Sequence, residues 1–231
     1  MNIAIIPARG GSKRIPRKNI KLFHGIPVIA YAIQAAKESG IFEDVFISTD
    51  DEEIADIARK YGAKVPWMRP MDLSDDFATT VKVMQHAVET LDRSLSDLQY
   101  VCCIYPATPL LQAKYLSRGL EILKGGDWDY VVSVAASRTP PERFLSLGKS
   151  KEIVMRFPEN ENKRTQDFPI TYQDAGQFYW GKETSWKSAL PIFTSNSSIL
   201  ELPFEFGIDI DTLDDWHYTE RLFTVYREDL K

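Results

Sequence analysis

This sequence predicts an α/β fold, mostly parallel and three-layered, on three observations. Short apolar runs alternate with stretches of helical period from residue 3 to about residue 134. The apolar runs are continuous, as in strands buried on both faces, and alternation of strands with helices implies right-handed crossovers. A glycine-containing basic loop directly follows the first run, at a strand's carboxyl end, where open α/β sheets bind ligands.

The elements follow in order. Residues 3–6 (Ile, Ala, Ile, Ile) read as the first strand, and residues 28–37 as a helix stopped at Gly40. Residues 44–49 give a second strand. Asp50, Asp51, Glu52 and Glu53 are an acidic first turn suited to the helix dipole, and they open a helix that stops at Gly62. Residues 63–67 read as a short third strand, 79–91 as a helix, 99–104 as the fourth strand, 114–123 as a helix and 129–134 as the fifth strand. From residue 138 to about 172 polar, proline-containing sequence suggests an excursion, a lid or a dimerisation arm. Residues 176–180 resume as a strand, 185–190 as a short helix and 213–225 as the last helix. The whole chain, 1–231, reads as one domain with that excursion.

Composition narrows the function. With 28 Lys+Arg against 33 Asp+Glu the 231-residue chain is mildly acidic, which argues against a broad nucleic-acid surface. No apolar run approaches the length of a membrane span, so the expectation is a cytoplasmic protein with neither nucleic acid nor membrane as partner. Cys102 and Cys103 are adjacent, point to opposite faces of a strand and cannot form an ordinary disulfide. His24, His86 and His217 lie far apart with no ligand spacing.

Against this acidic background, residues 6–19, IPARGGSKRIPRKN, carry two glycines and five cations. The stretch matches neither the P-loop nor the Gly-x-Gly-x-x-Gly fingerprint of dinucleotide-dependent oxidoreductases. The physics is similar: Gly10 and Gly11 permit close backbone approach, Ser12 and the amides can donate, and Arg9, Lys13, Arg14, Arg17 and Lys18 supply charge. That much charge suits a triphosphate better than a single phosphate. Far along the chain, Asp209 and Asp211 lie on one side of an extended stretch and can reach one divalent cation, although Asp211 or Thr212 can instead cap the following helix.

Together these residues resemble the cytidylyltransferases that activate acid sugars, the CMP-sialic acid synthetase family. Residues 6–19 match its N-terminal signature and Ser48, Thr49 and Asp50 its second-strand end. Arg69-Pro70 with Asp76 and Ala78-Thr79-Thr80 match its base-binding segment, Tyr105-Pro106-Ala107-Thr108-Pro109 its fourth-strand loop and Ile208 to Thr212 its metal-binding end. The resemblance covers nearly the whole chain. It implies a Rossmann-like nucleotidyltransferase fold with a small dimerisation arm, a homodimer, CTP and an acid sugar as substrates, and Mg²⁺ as cofactor. It also implies that Arg9, Ser12, Lys13, Lys18 and Asn19 hold the nucleotide and triphosphate, that Arg69, Ala78 and Thr80 recognise the base, and that Asp209 and Asp211 hold the metal. The implied reaction is attack of the sugar's anomeric 2-hydroxyl on the α-phosphorus of CTP, with loss of pyrophosphate. Arg9, Lys18 and Asp211 would be the catalytic groups; the base is Asp211 or a metal-bound hydroxide.

Departures from the sialic-acid pattern bear on the sugar. Tyr105 stands where those enzymes carry Gln, and Leu111 where they carry Arg. Residues 102–106, 158–167 and 172–180 resemble the branch that activates pseudaminic acid, a 5,7-diacetamido 9-deoxy sugar. Tyr105, Gln173, Asp174 and Gln177 are candidate sugar contacts. Lys163 or Arg164 on the arm is the candidate for the sugar carboxylate, supplied across a dimer, against a plain solvent-exposed role for the pair. Phe178, Tyr179 and Trp180 read as packing. Rival readings are another acid sugar (legionaminic, N-acetylneuraminic or 3-deoxy-octulosonic acid) and a non-catalytic nucleotide- or sugar-binding module; Lys18, Asp209 and Asp211 argue against the latter.

Overall fold

The computed structural model describes residues 1–92, 95 and 97–226. The single-domain expectation also covers residues 93, 94, 96 and 227–231, which lie outside the described residues. Strand β1 (Asn2–Pro7) buries Ile3 to Ile6 completely. After the basic loop a two-residue ladder, β2 (Leu22–Phe23) with β3 (Ile26–Pro27), leads into helix α1 (Val28–Glu38). Strand β4 (Asp44–Ser48) feeds helix α2 (Glu52–Lys60), whose N-cap Asp51 accepts the Ile54 amide at 3.0 Å. Helix α3 (Thr80–Asp92), strand β5 (Tyr100–Ile104), helix α4 (Ala113–Gly125) and strand β6 (Tyr130–Ala136) follow.

The excursion carries a small hairpin, β7 (Leu145–Leu147) with β8 (Ile153–Met155). The chain returns as the long strand β9 (Tyr172–Lys182), the short helix α5 (Glu183–Lys187), strand β10 (Ser197–Leu202) and helix α6 (Leu213–Val225). The six-stranded sheet has the order β10-β6-β9-β5-β1-β4. Every pairing is parallel except those of β9, which runs antiparallel to both β5 and β6.

Alternate residues of the strands feed two cores. Ala4, Ile6, Cys102 and Ile104 pack with α1, α2 and α4 on one face. Ile3, Ile5, Val101 and Cys103 pack with α3 and Trp186 of α5 on the other. The two cysteines thus sit on opposite faces, buried and unbridged. Each fully buried isoleucine of β1 contributes about 1.5–3 kcal/mol, which fixes the strand that launches the basic loop.

Two expectations change, and one strand has no counterpart among them. Residues 63–67 form no strand; they touch the sheet through one isolated bridge, Phe46 with Lys64, and Pro66 has no amide to continue a ladder. Strand β10 went unread because its sequence, SSILEL, buries only Leu200 and Leu202 at a sheet edge. The short helix begins at Glu183 rather than Ser185 and ends before Ala189, whose φ of 49° is incompatible with continuing it.

Candidate active site

The basic loop is gripped by the residues that end β4. Ala8 donates to Ser48 O at 2.9 Å, and the Gly10 amide donates to Asp50 Oδ1 at 3.0 Å. A Cβ at Gly10 would lie 2.6 Å from Asp51 Oδ2, so a larger residue there would push the Asp51 carboxylate aside. Arg17 adopts φ 55°, a left-handed conformation that starts the one-turn 3₁₀ helix Lys18–Ile20. Its guanidinium holds both oxygens of Asp51 and reaches Glu53 Oε2 at 2.5 Å. These hydrogen bonds hold the Asp51 carboxyl below the usual carboxylate range and raise Arg17.

The acidic segment meets this loop from the other end of the chain. Thr212, not Asp211, caps α6, in a reciprocal capping box with Asp215, which leaves the Asp211 carboxylate to the cleft. Asp209 packs against Gly176, whose φ is 58° and where a Cβ would approach Asp209 Cβ to 2.8 Å. Lys18 Nζ donates to Ile210 O at 2.6 Å and stands 3.6 Å from Asp211 Oδ1, which also receives Arg14 at 2.6 Å. Burial, then the neighbouring Asp211, pushes Asp209 up to about 6. Two carboxylates crowded in this way fit a hard divalent cation. Mg²⁺ is commonly held by one or two carboxylates plus substrate phosphates.

A cleft of about 420 Å³ lies between the two segments, lined by Arg9, Ser12, Lys13, Lys18, Asn19, Asp76, Tyr105, Asp209 and Asp211. Asp76 pairs with Arg9 at 3.0 Å and with Lys13, bridging the loop to the segment that follows Arg69. Asn19 is 5 % exposed and donates to Arg9 O at 2.9 Å, while its Oδ1 has no hydrogen-bond partner. Gly11 is open on its Cβ side. Arg69 is 6 % exposed and stands 3.6 Å from Asp50 Oδ1. Burial lowers its pKa, and its Nε and one terminal nitrogen lack hydrogen-bond partners. Ala78 donates its amide to Asp75 Oδ1 at 2.8 Å, outside the cleft lining.

Tyr105 borders both this cleft and a second groove of about 740 Å³, lined mainly by apolar side chains with Thr80, Asp174 and Tyr179. Thr80 Oγ1 meets the Tyr105 hydroxyl at 3.1 Å, and the Tyr179 hydroxyl donates to Asp174 Oδ2. Tyr179, read from sequence as packing, is therefore 3 % exposed yet part of a polar chain; strand alternation alone carries no signal for that bond. Phe178 and Trp180 are fully buried packing. Gln177 is buried and donates to Ile208 O at 3.0 Å, tying the acidic segment to β9. Gln173 is exposed and lines neither cavity. Lys163 and Arg164 sit on the arm outside both cavities, with Arg164 paired to Asp167 by two 2.9 Å bonds. In the sequence Asp50 and Asp51 open a helix and Asp50 also closes a strand-end motif; their grip on the loop comes from the fold.

The cytidylyltransferase family profile matches residues 3–229. The chain is 40% identical over 227 residues to pseudaminic acid cytidylyltransferase of Campylobacter jejuni, covering 98% of each chain. It is 32% identical over 224 residues to N-acylneuraminate cytidylyltransferase B of Danio rerio, covering 94% of this chain and 50% of that one. Among solved structures, CMP:2-keto-3-deoxy-manno-octonic acid synthetase in complex with CTP superposes with a TM-score of 0.72 at 17% identity, covering 97% of this chain and 98% of that one. The fold is therefore the nucleotidyltransferase fold, as the resemblance implied, and the match over almost all of its length shows that this chain belongs to the cytidylyltransferase family and is a nucleotidyltransferase.

Proposed function

We propose that this enzyme transfers the cytidylyl group of CTP to pseudaminic acid, giving CMP-pseudaminic acid and pyrophosphate. The observation that carries the reaction is the meeting of two distant segments at Lys18, whose ammonium lies between the basic loop and Asp211. The triphosphate enters the 420 Å³ cleft, where Arg9, Lys13 and Lys18 bind its oxygens and Ser12 and Asn19 add hydrogen bonds. Arg69, Ala78 and Thr80 recognise the base and its surroundings. Asp209 and Asp211 would hold Mg²⁺, which when bound would neutralise phosphate charge and polarise the reacting phosphoryl group.

The sugar's anomeric 2-hydroxyl oxygen forms a bond to the α-phosphorus while the bond from that phosphorus to the bridging oxygen breaks, and pyrophosphate takes the electron pair. Asp211 is the group assigned to accept the hydroxyl proton. Lys18 and Arg9 stabilise charge that grows on the departing phosphates, so positioning and electrostatics supply the acceleration without a covalent intermediate.

Tyr105 joins the cleft to the apolar groove, which suits a deoxy sugar bearing two acetamido groups. Asp174, Gln173 and Gln177 are assigned to the sugar side. Lys163 or Arg164 is assigned to the sugar carboxylate across a homodimer whose arm exposes Leu147, Ile153 and Ile170 at 72%, 74% and 74%. Pseudaminic acid is preferred to N-acetylneuraminic acid because identity to the bacterial relative named for it is 40%, against 32% for the sialic-acid relative. Among the described residues no helix is long and apolar enough to cross a membrane.

The test is pyrophosphate release with CTP and a panel of acid sugars. Release with pseudaminic acid well above the others is expected. A preference for N-acetylneuraminic acid would defeat the sugar assignment, and equal turnover of ATP would defeat the cytidylyl assignment.

A further inference from the structure

Four consecutive residues at the carboxyl end of β4 hold both halves of the proposed nucleotide site. Ser48 O accepts from Ala8 at 2.9 Å and Thr49 O accepts the Arg69 amide at 2.7 Å. Asp50 uses one oxygen for two tasks: Oδ1 accepts the Gly10 amide at 3.0 Å and faces the Arg69 guanidinium at 3.6 Å. Asp51 holds Arg17, at the other end of the loop, and among the described residues no hydrogen bond or ion pair joins it to Arg69. The two neighbouring carboxylates therefore have separable duties.

Arg69 is buried and carries only donors, so its orientation is fixed by whatever acceptor faces it. Among the described residues its ion-pair partner is Asp50. A donor-only fork complements the O2 and N3 acceptor edge of cytosine, whereas uracil presents an N3–H donor to the same fork. A buried guanidinium whose counter-charge is removed is free to reorient, and its selectivity goes with its orientation.

We infer that Asp50 is a positioning and specificity-determining residue, which aims Arg69 at the base and registers the triphosphate loop against it through the same oxygen. Asp51, which also caps α2, positions the loop and not the base. The inference rests on the proposed role of Arg69 in reading the base.

The experiment compares kcat/KM for CTP and UTP in the wild-type enzyme, Asp50→Asn, Asp50→Glu and Asp51→Asn, with a thermal melt of each. Asp50→Asn keeps an acceptor oxygen for Gly10 and removes the charge facing Arg69. It is expected to lose about tenfold of the preference for CTP over UTP. Asp51→Asn is expected to lower both nucleotides by a common factor, with the preference changed by less than about twofold. A merely structural role would lower both substrates together in every variant. Should Asp50→Asn fail to fold, Asp50→Glu, which keeps the charge but moves it outward by one methylene, carries the same prediction. A folded Asp50 variant that keeps the wild-type preference overturns the inference, as does an Asp51→Asn variant that loses as much. If the wild-type enzyme turned over no CTP, the proposed reaction would fail, and the ratio of CTP to UTP dissociation constants in the same variants would still decide the role of Asp50.

Discussion

Lys18→Ala is the substitution whose consequences the structure defines most fully. The side chain is 20% exposed, donates to Ile210 O at 2.6 Å and stands 3.6 Å from Asp211. Truncation removes one charge-assisted hydrogen bond from the fold, worth about 1.5–3 kcal/mol. For a chain of this size that lowers Tm by roughly 3–12 °C. The catalytic loss is larger. Lys18 is a preorganised donor facing charge that grows on the departing pyrophosphate, and removing one such donor typically costs about 10²–10³ in kcat. A coupled pyrophosphate assay with saturating CTP and sugar reads kcat, and differential scanning fluorimetry reads the melt. A kcat within about threefold of wild type, in a protein that melts as expected, would refute the assignment of Lys18 to the transition state. A collapsed melt would refute the claim that its structural share is small.

Three further outcomes follow from the same geometry. Asp209→Asn should raise the Mg²⁺ concentration for half-maximal activity by at least the roughly 10–100-fold that loss of a supporting residue costs; an unchanged Mg²⁺ dependence removes Asp209 from the metal site. Because Arg17 depresses the Asp51 carboxyl in the folded state, this pair stabilises the protein above the usual carboxylate range and ceases to as pH falls through the folded value. The melting difference between wild type and Asp51→Asn should therefore be constant near neutrality and vanish in acid, and a difference that persisted there would contradict the ion-pair account. Leu147→Asp combined with Ile153→Asp, on the exposed hairpin of the arm, should convert a dimer to a folded monomer by light scattering. A wild-type monomer would overturn the arm's assignment.

The alternating first half of the fold was legible because its strands are buried on both faces and its helices carry their own stops, as at Gly40 and Gly62. The loop of residues 6–19 stands out in the sequence because two glycines and five cations interrupt an acidic chain; the pair Asp209 and Asp211 is a weaker signal, because the same spacing suits a helix cap, and only the fold shows that Thr212 takes that part. Strand β10 was not, since an edge strand with two buried leucines resembles a loop in sequence. The reversed direction of β9 was equally hidden, because hydrophobic pattern records burial and not polarity of the chain. In the site, Asp50 and Asp51 illustrate the limit: both suit a helix N-terminus, and Asp51 does cap α2. That the same residues grip Gly10 and Arg17 depends on a loop more than thirty positions away arriving beside them.

Isotopic labelling tests the central claim most directly. Incubation with Mg²⁺, pseudaminic acid and CTP labelled at either the α- or the γ-phosphate should place the α label wholly in the sugar product and the γ label wholly in pyrophosphate. Appearance of the γ label in the sugar, or release of pyrophosphate that does not depend on the sugar, would contradict cytidylyl transfer at the site built from the basic loop and the Asp209–Asp211 segment.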